Sequence, residues 1–356
     1  MENKRYCVIM AGGIGTRFWP RSRKSMPKQF LDILGAGKSL LRQTFERFRP
    51  YVEDENFIVV TNRRYRELAY EQLPELKPHQ ILCEPIGRNT APCICYAAYP
   101  LLMSEPDAKM IVTPADLFIT DEERFLEVVD ECVEFTTDHD ALVTIGVKPT
   151  RPDSGYGYIQ VSDPKEISRA KCFIEKPNAE MAQTLLECGE FFWNSGIFIW
   201  KVRDIVSAIE RHLPEHAALF GALVDFDNSE DAGKTISRIF SECRAISIDY
   251  GVMERADNVF VRTGEFGWSD VGTWGAVYQH SPKDVDGNTL FRNLMLYDTQ
   301  NTAISLPNGK LGVIAGLKDY MVVDTEDVLM ICPKEEEKSI KKYMEDVKYR
   351  EGDKFI

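Results

Sequence analysis

Short apolar runs alternate with helix-like stretches through the first 146 residues. The runs Tyr6–Met10, Phe57–Thr61, Gln80–Cys83, Lys109–Thr113 and Ala141–Ile145 read as strands, and the segments Ser39–Arg49, Arg63–Gln72, Thr90–Met103 and Asp121–Thr137 between them read as helices. Such alternation predicts right-handed β–α–β units, hence an α/β domain whose mixed central sheet is mainly parallel. The middle of the chain is less regular. Strand-like pieces at Tyr156–Val161, Lys171–Ile174, Ile197–Trp200, Ala245–Ile248 and Asn258–Arg262 are interrupted by a helical stretch from Val202 to about Phe240. After Asn288 short β segments follow (Thr302–Leu306, Leu311–Ala315, Tyr320–Asp324, Val328–Cys332), with a turn at Pro307-Asn308-Gly309 and a closing charged helix over Lys334–Tyr349. The expected organisation is a large domain over 1–286 and a small β-rich domain over 287–356.

Composition narrows what such a fold can do. The chain of 356 residues carries a formal charge of −13, which argues against a nucleic-acid coat. The apolar run after Met1–Arg5 is too short for a signal peptide, and no stretch approaches the roughly 20 apolar residues of a membrane span, so a cytoplasmic location is expected. Nine cysteines without a Cys-x-x-Cys pair read as buried reduced thiols. The five histidines show neither metal spacing nor a triad.

Against that acidic background, no Asp or Glu occurs between Asn3 and Leu31. That stretch holds a glycine-rich turn, Ala11-Gly12-Gly13-Ile14-Gly15-Thr16-Arg17, followed by Arg21, Arg23, Lys24 and Lys28. Glycines leaving a strand let main-chain N–H groups approach an anion, and cations behind them suit a triphosphate. Two familiar phosphate loops do not fit. Gly35-Ala36-Gly37-Lys38-Ser39 has Asp32 where a P-loop needs glycine, and Ser39 is better placed as a helix cap. Gly13-x-Gly15 continues to Phe18 where a dinucleotide fingerprint needs its third glycine.

The turn, with Pro27-Lys28-Gln29 after it, resembles that of the sugar-1-phosphate nucleotidyltransferases, and most closely the mannose-1-phosphate guanylyltransferases (GDP-mannose pyrophosphorylases). Gly87-Arg88-Asn89-Thr90-Ala91-Pro92, Pro114-Ala115-Asp116, Tyr156-Gly157-Tyr158-Ile159, Phe173-Ile174-Glu175-Lys176-Pro177, Asn194-Ser195-Gly196-Ile197-Phe198 and Trp268-Ser269-Asp270-Val271-Gly272 follow in the family's order. Together they span about residues 6 to 275. The resemblance implies a Rossmann-like nucleotidyltransferase domain followed by a piece of left-handed β-helix. It implies GTP and mannose 1-phosphate as substrates, GDP-mannose and diphosphate as products, and Mg²⁺ as cofactor. Ala11, Gly12, Gly13, Gly15 and Thr16 would hold the nucleotide. Arg17 and Lys28 would offset charge on the phosphates, and Asp116 with Asp270 would hold the metal.

Glu84, with Asn89 and Thr90, is the candidate base reader: a carboxylate accepts from both N1–H and the N2 amino group of guanine, whereas uracil and thymine offer one ring N–H there. Gly157, Glu175, Lys176 and Asn194 match the sugar-phosphate segments, with Lys176 expected to meet the phosphate; a strand-end ion pair is the other reading of Glu175–Lys176. Asp249, Tyr250, Met253 and Glu254 belong to a familiar stretch without an assigned role. The tryptophans Trp193, Trp200, Trp268 and Trp274 read as pocket walls and core. A homodimer and a monofunctional chain, without the isomerase domain some relatives carry, are expected. A uridylyl- or thymidylyltransferase, and a catalytically silent sugar-nucleotide sensor, remain open alternatives.

Overall fold

A computed structural model describes residues 4–161, 163–164, 166–224, 232–289, 293–307 and 309–356. Residues 225–231 of the helical stretch and Asn308 of the expected turn lie outside that description. The chain divides into two compact units that do not follow its order. One comprises Met1–Gly12, Thr44–Ala115 and Ile119–Trp268; the other comprises Gly13–Gln43, Asp116–Phe118 and Ser269–Ile356.

The first unit is built on one nine-stranded sheet. Its strands are β1 (Arg5–Ala11), β2 (Phe57–Asn62), β3 (Ile81–Glu84), β4 (Lys109–Pro114), β5 (Leu142–Val147), β6 (Tyr158–Val161), β7 (Ser168–Ile174), β8 (Phe191–Lys201) and β9 (Val259–Thr263). They lie in the order β3-β2-β1-β4-β8-β5-β9-β7-β6. Parallel pairing runs through β3, β2, β1 and β4 and between β5 and β9; β8 is antiparallel to β4 and β5, and β7 to β9 and β6. The five strands read from the N-terminal third all form within a residue or two of expectation, and the sheet is mixed. In a parallel array the carboxyl ends of the strands are where ligands sit. Here those ends deliver Ala11, Glu84 and Pro114.

β8 is far longer than the expected Ile197–Trp200. Gly196 sits in the left-handed region (φ 75°), and the β5–β8 register shifts between Thr144 and Gly146. That irregularity lets one strand pair with β4 at one end and β6 at the other. The helix Thr90–Ser104 buries Ala91 to Tyr99 without a break, so it is core on every face. It packs with Trp200, Ile205, Ile209, Phe220 and Phe240 into the main apolar cluster.

Ala245–Ile248 is not a strand. Its main chain is spent on the start of that helix: Ile246 N–H donates to the Arg88 carbonyl at 3.2 Å, the Ile246 carbonyl accepts from Ala91 N–H at 3.1 Å, and Ile248 N–H donates to Thr90 Oγ1 at 2.8 Å. A π-helical turn, Asp249–Met253, follows. The thiol expectation also needs correction: all nine cysteines are unpaired, but Cys172 on β7 and Cys188 at a helix end are exposed.

The second unit gathers Phe18, Trp19, Ile33, Val271, Trp274, Met321, Val323, Cys332 and Ile340 into its own core. Leu294–Tyr297 pairs in parallel with Gly312–Ala315, Ala303–Ser305 pairs in parallel with Tyr320–Asp324, and Leu329–Pro333 adds an antiparallel edge. The charged closing segment begins as a 3-10 turn, Lys334–Ser339, and becomes α-helical only at Ile340–Glu351. In that first turn Glu337 accepts from Gly275 N–H at 2.8 Å, which ties the turn to the start of helix Trp274–His280. Arg23 clasps Asp327 at the Thr325–Val328 turn, its Nη1 2.7 Å from Oδ2. No helix among the described residues is long and apolar enough to cross a membrane.

Candidate active site

In the first unit the glycine-rich turn begins beside the end of β3. Ala11 is buried, Gly12 is exposed, and a Cβ on Gly12 would stand 3.4 Å from Glu84 Oε2. Glu84 itself is only 4% exposed, and its Oε1 has no hydrogen-bond partner among the described residues. Burial alone pushes its carboxyl up to about 8. A desolvated acceptor without a donor is costly, about 1–3 kcal/mol, and marks a place where a partner is missing. Asn89 and Thr90, expected to help read a base, are engaged elsewhere. Asn89, left-handed at φ 71°, caps the helix by accepting from Thr90 N–H at 2.9 Å, and the Thr90 hydroxyl accepts from Ile248 N–H.

The sugar-phosphate candidates come together on the far side of the same sheet. Asn194 N–H donates to the Gly157 carbonyl at 2.8 Å, joining β8 to the start of β6. A Cβ on Gly157 would lie 2.5 Å from Glu175 Oε2, so only glycine lets that carboxylate sit there. Lys176 Nζ lies 2.5 Å from Glu175 Oε1, the ion pair of the alternative reading, and Lys176 holds a left-handed backbone at φ 46°. Tyr156, Trp193 and Trp268 pack edge-on beside them, with centroids 5.0 and 5.3 Å from Tyr156. They belong to a small apolar cluster with Tyr158, Ala182 and Leu185.

In the second unit the rest of the turn is pinned through its carbonyls. Gln29 Nε2 donates to Gly13 O at 2.9 Å and Ser22 Oγ to Ile14 O at 2.6 Å. Gly15 is left-handed at φ 66°, and a Cβ there would meet the Lys28 Cβ at 2.6 Å. Gly15→Ala therefore combines a strained backbone with a clash against buried aliphatic carbon. A loss of about 1–3 kcal/mol is expected, read as a fall in the denaturation midpoint.

Lys28 is 4% exposed, and its ammonium joins two residues far apart in sequence. Nζ lies 3.0 Å from Asp116 Oδ2 and donates to the Asp270 carbonyl at 2.6 Å. The Asp270 carboxylate turns back to accept from Gly272 N–H at 3.0 Å. Arg17 is exposed, and its charge reaches the half-buried Glu337 carboxyl, which burial raises. Asp116 and Asp270 thus meet one cation. Among the described residues no group of three or more His, Cys, Asp or Glu side chains could hold a metal.

A family model described as "Nucleotidyl transferase" matches residues 6–287. The chain is 36% identical over 352 residues to an Escherichia coli mannose-1-phosphate guanylyltransferase, covering 96% of this chain and 73% of that one. It is 34% identical over 359 residues to the Klebsiella pneumoniae protein of the same name, covering 98% and 75%. The chain belongs to the nucleotidyltransferase family, with the mannose-1-phosphate guanylyltransferases. A solved structure agrees: a Thermus thermophilus protein named mannose-1-phosphate geranyltransferase superposes with a TM-score of 0.86 at 30% identity, over 97% of this chain and 99% of that one.

Two residues of this nucleotidyltransferase carry site contacts that sequence reasoning left without a role. Asp249 accepts from Asn194 Nδ2 at 2.7 Å, and Glu337 anchors the loop that follows Asp270 through Gly275. Asp249 lay in a stretch already noted; Glu337 gave no signal beyond its place in a charged run.

Proposed function

We propose that the protein joins GTP and mannose 1-phosphate into GDP-mannose and diphosphate. A sugar-phosphate oxygen attacks the α-phosphorus, the new P–O bond forms as the bond to the β-phosphate oxygen breaks, and diphosphate leaves in line. The observation that carries this reading is the Lys28 ammonium held on Asp116 and Asp270. A phosphoryl-type transfer needs charge neutralisation and positioning more than covalent help, and this is a charge clamp in a family that does that chemistry. An ammonium has three N–H bonds. Two face Asp116 and Asp270, and the third is assigned to a phosphate oxygen, with Arg17 as the exposed second cation.

The main-chain N–H groups of Gly12, Gly13 and Gly15, with Thr16, take the phosphates. Glu84 takes the guanine edge, and Ala11 is assigned to the same nucleotide. Asn89 and Thr90 serve by fixing the helix start behind Glu84. Glu175, Gly157 and Asn194 take the sugar hydroxyls, and Lys176 exchanges Glu175 for the sugar phosphate.

The residues fit Mg²⁺: the side chains of Asp116 and Asp270, two residues that the Lys28 ammonium already joins, are the hard oxygen donors this ion takes alongside phosphate. Asp116 and Asp270 would hold it, and when bound it would supply charge to polarise the phosphoryl oxygens. The C-terminal strands, paired in parallel at two levels, are assigned to a left-handed β-helix, and the protein to a homodimer.

The test is diphosphate release in a panel of nucleoside triphosphates. Release from GTP only on adding mannose 1-phosphate, and its loss under EDTA with recovery in Mg²⁺, are expected. Faster turnover of UTP or dTTP with glucose 1-phosphate would replace this reading with the pyrimidine one. Turnover unaffected by chelation would remove the metal.

A further inference from the structure

Asn194 sits at the centre of the sugar-phosphate candidates, yet most of its hydrogen-bonding capacity faces the protein. Its Oδ1 lies 3.0 Å from Thr144 Oγ1, which donates to it, and 3.4 Å from Gly196 N–H. Its Nδ2 donates to Asp249 Oδ1 at 2.7 Å. One N–H of that amide remains for a ligand.

An amide has two faces of nearly the same shape and opposite polarity, so something must choose which one meets the sugar. The Gly196 N–H favours the oxygen on its side only across a long 3.4 Å, and Thr144 cannot choose alone. Its hydroxyl carries one hydrogen, shared between Asn194 Oδ1 and the Ile197 carbonyl, both at 3.0 Å, and a hydroxyl can also accept. A carboxylate only accepts. We propose that Asp249 is a positioning residue: by accepting from Asn194 Nδ2 it fixes the amide so that an N–H, not the carbonyl oxygen, is presented to a hydroxyl oxygen of the hexose phosphate.

The surroundings fit that role. Asp249 opens the π-helical turn Asp249–Met253, an irregularity that places its side chain against β8. Glu175 faces it, Lys176 pairs with Glu175, the Tyr250 hydroxyl lies 3.4 Å from the Glu175 carbonyl, and Glu254 lies close enough to feel Glu175. Burial, and then the Glu175 carboxylate, hold Asp249 up at about 6, so it is ionised and purely an acceptor at neutral pH.

This inference rests on the reading of Gly157, Glu175 and Asn194 as the sugar site, and a double-mutant cycle separates the two. Asn194→Ala, Asp249→Leu and the double variant are compared by KM for mannose 1-phosphate and for GTP, with denaturation midpoints alongside. Each single variant should raise the sugar-phosphate KM by about tenfold, with the GTP KM within about twofold of the parent. Because Asp249 acts through Asn194, Asp249→Leu should add less than about twofold when Asn194 is already alanine. Asp249→Asn, which keeps an acceptor oxygen, should recover most of the loss. Additive effects in the cycle, or a loss shared equally by the GTP KM, would overturn the positioning role while leaving the sugar site standing. An unchanged sugar-phosphate KM in Asn194→Ala would overturn the sugar site itself, and the inference with it. If Asp249→Leu gives no folded protein, Asp249→Ala runs the same cycle with the same outcomes.

Discussion

Lys28→Ala is expected to lower kcat by about 10²-fold or more while GTP binding weakens much less. The reasoning starts from burial. At 4% exposure the Lys28 stem is packed beneath Gly15, and its ammonium is held by Asp116 Oδ2 and the Asp270 carbonyl rather than by water. Phe18 adds an aromatic face 5.3 Å from the nitrogen. A charge held in this way needs no reorganisation when negative charge builds on the transferred and leaving phosphates, so it acts most strongly in the transition state.

Alanine removes the charge and also leaves the Asp116 carboxylate and the Asp270 main-chain carbonyl without the ammonium that joins them. Lys28→Arg would not restore the site, because a guanidinium is a planar fork and the place beneath Gly15 was built for a point charge on a linear stem. Steady-state kinetics with a direct GTP titration distinguish the outcomes. A loss confined to GTP affinity, with kcat intact, would make Lys28 a ground-state anchor and remove it from the chemistry.

How much of this was readable in the chain differs by distance along it. The βα units of the N-terminal third were legible because each strand and helix is set by its own apolar period, from Tyr6 to Ile145. Ser39 as a cap was legible for the same local reason, and Arg42 N–H does donate to its hydroxyl at 3.1 Å. What failed was decided by partners far away. Ala245–Ile248 has the composition of a strand, but its main-chain groups are claimed by Arg88, Thr90 and Ala91 more than 150 positions earlier. Pattern alone cannot tell that such a run will serve a helix N-terminus.

The two-unit division is a second case. Phe18 and Trp19 follow a glycine turn, yet they pack with Trp274, Met321 and Ile340, so Gly13–Gln43 is counted with the C-terminal segment. The candidate site residues were chosen by matching ordered motifs. Their local partners were only partly visible: Asn89 caps a helix, the Thr90 hydroxyl accepts from the distant Ile248 N–H, Lys176 is folded back onto Glu175, and Asp249 bonds Asn194, 55 positions away.

Glu84→Gln is expected to abolish most of the preference for guanine and, at the same time, to make the free protein more stable. The two effects share one cause. Glu84 lies in a dry place at the end of β3 with an unpartnered Oε1, and burial lifts its carboxyl from the usual range near 4.5 to about 8. The folded state therefore holds a proton that the unfolded chain releases well below neutrality. Stability linked to this group is present below pH 4.5 and is lost as pH rises toward 8, by up to about 1.4 kcal/mol per unit.

Glutamine has the same shape and no charge to desolvate, so its gain in denaturation midpoint should be larger at pH 8 than at pH 5. Binding runs the opposite way. The two donors of guanine need the ionised carboxylate, so GTP affinity should improve as pH rises from 6 to 8, by up to about tenfold per unit, and level off above. In Glu84→Gln that slope should vanish, because an amide does not titrate. The amide can also donate as well as accept, which lets a pyrimidine edge compete, and the ratio of GTP to UTP turnover should fall by about tenfold or more. Calorimetric scans at the two pH values and a triphosphate panel measure all three. A stabilised variant with unchanged selectivity would leave Glu84 as a buried acid and place guanine recognition elsewhere in the protein.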